Sequence, residues 1–537
     1  MRFKLSLLVR TIVFFGLCYL VLQLSGSRSP DTSPSDEYIQ PPITVNDQNF
    51  KLSTDTVEKS YETPKPIPVV ISESTLKIIQ SADDDSPVKY HRPANTLPLP
   101  APYSEDDIGK GGSGWCQSHY GLKYLYDLKK SRRSYCKPSS SASSLDCFGV
   151  DISGERVDTL CIAGSVIFDP GLFTLDCDLN DWDGETQYFK GGPPLRIEEF
   201  PQYDAYGVGP GTMLSQYMKV GHDSGTKRLW RDLKCGKSPS ARNYTIFMKR
   251  EGGTNLWHTL MEIFSLFLSM DVLQMTAQLS DGEMQPMFQP SDIPNSRIIL
   301  FDNNQERVAY QDLWHAFTGQ PTINFSDMPT DELECLENVI MPLPGASNPL
   351  WQGDWVPIIC TDSPLVKAFS QRILSHYQVL DHYNTSTVTL TFINRQGQRK
   401  FLDQDHHLKQ LQSRYPRIKV QSIDFAALTF PEQLRVIRKT NILVGVHGAG
   451  LTHQMFLRNG STVVEIQPPD MFHKGFSNLA RLLNHRYVSA HSSETERSQE
   501  IMIDDGQEVD PNDWHFKDMK MEDDDFLRLM KRAIETV

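Results

Sequence analysis

Between Ile442 and His453 the chain reads Ile-Leu-Val-Gly-Val-His-Gly-Ala-Gly-Leu-Thr-His, and a second apolar run, Thr-Val-Val-Glu-Ile, follows from Thr462 to Ile466. A β-branched run that ends in His447 and a glycine pair, Gly448 and Gly450, and then turns amphipathic is the pattern of a buried parallel strand, a tight turn and a helix start. Such a junction aims backbone N–H groups and the positive end of a helix at one spot, where phosphate binds well. Glycine turns also close ordinary βα units, so the phosphate reading depends on what surrounds this one.

The surroundings repeat the pattern. Tyr244–Arg250 reads as a strand, Glu251 to Thr254 as a turn, and Asn255 onward as a helix. Ser296–Asp302 and Asn338–Met341 read as further strands. A second set runs through the strand Thr387–Ile393, the strand Arg417–Ile423, the helix Pro431–Thr440 and the strand Ile442–Val446. It ends with a helix near Leu451–Leu457, the strand Thr462–Ile466 and the helix Phe476–Asn484. Strands alternating with helices predict parallel sheets covered on both faces. The fold class is therefore α/β, with two Rossmann-like domains facing a cleft. The expected boundaries are 111–380 for a first, cysteine-containing domain, 381–500 for a second and 501–537 for an acidic helical tail that could pack back on the first domain. The stretch from Trp115 to Cys235 reads as irregular.

The N-terminus carries an address. Arg2, Lys4 and Arg10 flank or interrupt a run from Leu5 to Leu24 that is almost wholly apolar after Thr11. Twenty helical residues span the roughly 30 Å hydrocarbon core. Basic residues before the run leave residues 1–4 in the cytosol and the remainder in the lumen, a single-pass type II anchor of the ER or Golgi membrane. The alternative is a cleaved signal peptide, with Ser25 to Ser27 as its small-residue exit. Residues 25–110, rich in Ser, Pro, Asp and Thr, bury too little apolar surface to fold and read as a stem. The eight cysteines beyond Cys18 show no CxxC spacing, so disulfides are expected rather than zinc. Sequons stand at Asn243, Asn324 and Asn384, with a fourth at Asn459 in a tight turn. The net charge of −14 speaks against a nucleic-acid partner.

Three groups of residues point to chemistry. Asn255, His258 and Glu262 fall within about 60° of one another on the predicted helix, roughly opposite Leu256, Leu260, Ile263, Phe264 and Phe267. A histidine with a carboxylate one turn on makes a general base whose tautomer the carboxylate fixes; the same stripe also fits a solvated helix face. Arg395 and Arg399 follow directly on a strand, where two guanidinium groups clamp a diphosphate, although surface arginines are common. With the His447 turn in the same domain, the diphosphate reading is the better one. Glu465, at the end of the next strand, is placed for ribose hydroxyls. Asp176 and Asp178 have the Asp-x-Asp form of a metal site but stand far upstream, His447 and His453 are badly spaced for chelation, and His406 and His407 are expected to face solvent.

Together, Asn255-x-x-His258, Trp314-His-Ala-Phe317, Cys335, Ala368-Phe-Ser-Gln371, Arg395-x3-Arg399 and Val446-His-Gly-Ala-Gly-Leu-Thr452 resemble the family-61 glycosyltransferases, from about Tyr244 to Tyr487. The resemblance implies a GT-B fold, a UDP-sugar donor in the second domain, a glycoprotein or glycan acceptor in the first, and inversion at the anomeric carbon. It implies that Arg395, Arg399, His447, Gly448 and Gly450 contact the donor diphosphate, while Asn255, His258 and Glu262 lie near the acceptor. Two departures stand out. The family usually has Asp where this chain has Glu262, one methylene longer. An Asp-Tyr-Asp of some relatives is replaced by Gly319 to Pro321, which offers a metal ion no carboxylate, so no cofactor beyond the donor is expected. The sugar is read as N-acetylglucosamine, with xylose or another pentose, or an inactive glycan-binding relative, as alternatives.

Overall fold

The computed structural model describes residues 97–537 except 152–156, 181–195, 201–207, 222–241, 252–254, 281–282, 303–309, 330, 346–347, 353, 380–386, 498–513 and 515–516. The expected anchor at 5–24, most of the expected stem, Cys18, Cys235 and Asn384 lie outside the described residues.

The stretch expected to be irregular is ordered. Strands β1 (Arg133–Ser134), β2 (Ser144–Asp151), β3 (Val157–Asp169) and β4 (Leu172–Asp176) form an antiparallel meander, and β5 (Met218–Gly221) joins β4 in parallel. The meander escapes a period-2 reading because β3 is an interior strand, and a strand covered on both faces is apolar almost throughout. Disulfides join Cys136 to Cys177, Cys147 to Cys161 across the β2–β3 register, and Cys116 to Cys360; Cys335 is disulfide-bonded as well. Asp176 and Asp178 hold the neighbouring loop, where they accept hydrogen bonds from Ala142 N and Ser140 Oγ.

β6 (Tyr244–Met248) leads into the helix Leu256–Met275, followed by the hairpin of β7 (Ala277–Ser280) and β8 (Glu283–Pro286). β9 (Ser296–Leu300), β10 (Ile323–Asn324) and β11 (Glu334–Met341) complete the first sheet, in the order β1-β2-β3-β11-β6-β9-β10. Along this order β11-β6-β9-β10 is parallel, whereas β11 runs antiparallel to β3. The Rossmann-like expectation therefore fits half of this sheet.

The second sheet fits it throughout. β12 (Thr389–Ile393), β13 (Lys419–Ile423), β14 (Ile442–Val446), β15 (Thr462–Gln467) and β16 (Arg486–His491) are all parallel, in the order β13-β12-β14-β15-β16. β12, β14 and β15 are buried at every residue, as a sheet with helices on both faces requires. The order reverses between β12 and β14, and the crevice at the carboxyl ends of two such strands is where open α/β sheets bind ligands.

One apolar cluster runs from Leu125 and Phe148 at the first sheet, through Leu260, Phe264 and Phe267 of the long helix, to Leu443, Leu451, Val463 and Phe476 at the second. The long helix is buried on nearly all sides, so the Asn255–Glu262 stripe is no solvated face. Among the described residues it is the one helix long and apolar enough to cross a membrane, and here it is a core element.

The described part of the tail packs on the second sheet instead of the first. β17 (Glu494–Arg497) pairs with β18 (Lys517–Lys520), and Phe526, Leu529, Met530 and Ala533 of the helix Asp523–Ile534 join Leu390, Val444 and Val464 in the core of the second sheet. His406 is exposed, as expected, but His407 is buried between Phe401 and Phe526 because this helix covers it.

Candidate active site

The switch point between β12 and β14 gathers the residues singled out in the second half of the chain. Arg395 and Arg399 follow β12, and His447 and Gly448 follow β14. A Cβ added to Gly448 would lie 2.8 Å from Arg395 Nη1 and 3.2 Å from Arg399 Nη1, so both guanidinium groups converge on the turn. Gly448 has φ +145°, a conformation that favours glycine, and it opens a 3-10 helix, Ala449–Phe456, in place of the expected α-helix. Gly450 serves packing, since a Cβ there would come within 3.1 Å of Ile393 Cγ2.

Arg395 donates from Nε to the Gln398 carbonyl at 3.0 Å. Burial pushes its pKa below the ordinary value. A desolvated cation of this kind is stabilised by an anion beside it.

His447 Nδ1 lies 2.5 Å from Glu465 Oε1, and the Tyr487 hydroxyl donates to Glu465 Oε2. Glu465 is fully buried with both oxygens engaged, so it holds His447 rather than presenting itself to a ribose. Burial pushes the His447 pKa down and outweighs the opposing pull of Glu465, which keeps the imidazole neutral at neutral pH. Beside it stands His473, which sequence reading missed, its ring centroid 4.8 Å from that of His447. His473 Nδ1 accepts from Gly475 N at 3.2 Å, and Nε2 lies 3.7 Å from Asp354 Oδ2. Burial raises the Asp354 pKa, against the pull of His473. A Cβ on Gly475 would press on both side chains, at 2.6 Å from His473 Cε1 and 2.7 Å from Asp354 Oδ1.

The second group sits at the carboxyl ends of β6 and β11. Asn255 is the N-cap of the long helix, its Oδ1 accepting from Trp257 N at 2.9 Å. Glu262 is fully buried and accepts from Glu251 N. Burial first, and then the charge of Glu251, raises its pKa well above the usual carboxylate range. The carboxylate facing His258 is that of Glu251, with Oε2 at 4.0 Å from Nδ1. Both carboxylates press on Gly345 after β11: a Cβ there would be 2.8 Å from Glu262 Cγ and 3.0 Å from Glu251 Oε1. Arg250 and Asp302 close the cluster with a forked ion pair, Nη2 to Oδ2 at 2.5 Å. In the sequence Glu251 reads only as the first residue of the turn after the expected strand Tyr244–Arg250.

Aromatic rings join the two groups. His258 meets Trp351 at 4.6 Å between centroids, Trp257 meets Phe476 at 5.8 Å, and Phe476 meets His447 at 5.4 Å. Of the sequons, Asn243 and Asn324 bond within the protein, to Glu337 and Asp327.

The Glycosyltransferase 61 profile matches residues 256–464, which hold His258, Arg395 and the His447 turn. The chain is 29% identical over 250 residues to an EGF domain-specific O-linked N-acetylglucosamine transferase of Drosophila melanogaster, covering 45% of this chain and 44% of that one. It is 27% identical over 265 residues to the Mus musculus protein of the same name, covering 48% and 46%. The chain thus spans less than half the length of these curated relatives. Residues 256–464, which carry much of the candidate site, are thus similar to the family-61 glycosyltransferases.

Proposed function

We propose that the chain is an inverting glycosyltransferase that moves a sugar, N-acetylglucosamine in the first instance, from a UDP-sugar to a Ser/Thr hydroxyl of a secretory-pathway protein. One observation carries the reading: Arg395 and Arg399 converge on the Gly448 turn at a topological switch point, where Arg395 is desolvated. The disulfides and the relatives' names support a lumenal enzyme working on proteins. A type II anchor at residues 5–24 and the GT-B arrangement belong to the same proposal.

In this reading His258, oriented by Glu251, takes the acceptor proton as the hydroxyl oxygen bonds to the anomeric carbon. The anomeric bond to UDP breaks on the opposite face. Its electron pair goes to the β-phosphate oxygen, where Arg395, Arg399 and the backbone N–H groups after Gly448 meet the growing charge. These groups supply the charge without a metal ion.

The test is a panel of UDP-sugars offered to the purified chain with and without EDTA, read as UDP release and transfer. One sugar is expected to turn over in EDTA. Arg395→Ala is expected to lower kcat/KM by roughly 100-fold or more, and His258→Ala to lower kcat by a similar factor while UDP still binds. A chain that binds no UDP and turns over no UDP-sugar sinks the proposal; turnover of UDP-xylose alone replaces the sugar.

A further inference from the structure

The region matching family 61 ends at residue 464, yet a segment 50 residues further on reaches into the candidate donor site. The loop that carries Arg399 is laced to β18 by three bonds of 2.8 Å: Lys400 N donates to Asp518 Oδ1, Met519 N to the Lys400 carbonyl, and Leu402 N to the Met519 carbonyl. Phe401 and Met519 form a parallel β-bridge, and Asp518 and Met519 are both buried. Arg399 itself has φ +59°, a left-handed conformation that a non-glycine residue keeps only when its surroundings hold it.

Just before β18, Trp514 stands against both sides of the switch point. Its ring lies 5.2 Å from the Arg399 guanidinium carbon and, centroid to centroid, 5.2 Å from the His447 ring at 71°. An indole face attracts a guanidinium and limits its orientations, so it fixes where the cation points at little entropic cost. Arg399 and His447 both lie beside Gly448.

We propose that Trp514 is a positioning residue of the donor site: it holds the Arg399 guanidinium against the Gly448 turn for the diphosphate of a nucleoside diphosphate, while Asp518 and Met519 fix the loop behind it. The proposal rests on the donor-site reading above and extends that site beyond the family match.

Calorimetric titration of the full chain with UDP tests it through a double-mutant cycle. Trp514→Ala is expected to weaken UDP binding roughly ten-fold, and Trp514→Phe, which restores an aromatic face, to recover most of the loss. In an Arg399→Ala background, removing Trp514 should change nothing further, because its partner is gone. Trp514→Leu, which fills the volume without an aromatic face, repeats the measurement if the alanine variant does not fold. Wild-type binding with unchanged affinity in Trp514→Ala and Trp514→Leu overturns the inference alone. So does an equal loss in both backgrounds, since it makes the effect one of packing. A wild-type chain that binds no UDP overturns the donor reading and this inference with it.

Discussion

His453 and His485 show what burial does to a titrating side chain that bonds to uncharged partners. Burial pushes both down to about 4, although His453 bonds to the Gly450 carbonyl and Gln433 Oε1 and His485 to the Gln454 carbonyl. Their folded values lie below the ordinary 6.5, so the unfolded chain takes up protons first as pH falls. The stability they contribute is complete above about pH 6.5 and declines toward pH 4, by at most ~1.4 kcal/mol per pH unit and site. His447, also pushed down by burial, acts in the same direction. The urea midpoint is therefore expected to be lower at pH 5 than at pH 7.5, and His453→Gln to flatten part of that slope. A variant as pH-sensitive as the wild type would show that His453 titrates normally. At this scale the sequence was a fair guide to position and a poor guide to role. It placed Glu465 at a strand's carboxyl end, but not the partners that occupy both its oxygens. Glu251, His473 and Trp514 lay in no spacing that marked them, because three separate loops bring them in.

The second sheet was legible almost strand by strand, since each of its βα units repeats one apolar run, one turn and one amphipathic helix. The first sheet was half legible. Its meander is set by cross-strand disulfides and by pairing of β3 with β11, more than 160 residues apart in the chain, for which local periodicity carries no signal. The long helix shows both sides of this. Its existence followed from its composition, but its burial on nearly every face is decided by the elements that surround it. Its first residues give a separable prediction. Asn255 caps the helix through Trp257 N, so Asn255→Ala is expected to cost about 1 kcal/mol of stability, and Asn255→Ser to restore most of it. Denaturant melts of the three proteins decide this. If serine restores stability but not turnover, the carboxamide has a part in the reaction besides the cap.

Across the whole molecule, the Cys116–Cys360 disulfide spans 244 residues and ties the helix Gly114–Tyr120 to the loop before Pro364–His376. Chain-entropy reasoning puts its contribution near ~5 kcal/mol, the top of the usual range for disulfides. Cys360→Ser is expected to lower the melting temperature more than removal of Cys147–Cys161, which closes only 14 residues. Scanning calorimetry of the two variants makes the comparison, and equal shifts would place the effect in local packing instead. The Leu256–Met275 helix has a different consequence, which arises before any of these links exist. Until the two sheets close around it, a newly made chain carries a 20-residue apolar helix indistinguishable by length and hydropathy from a membrane span. Glu262 and Asp271 are the charged side chains in that segment, and each raises the cost of leaving water for lipid. In the finished fold Asp271 is tied to Arg372 at 2.8 Å and Glu262 to the backbone of Glu251. The same two carboxyl groups that burden the core therefore bias the nascent segment toward folding as a globular protein.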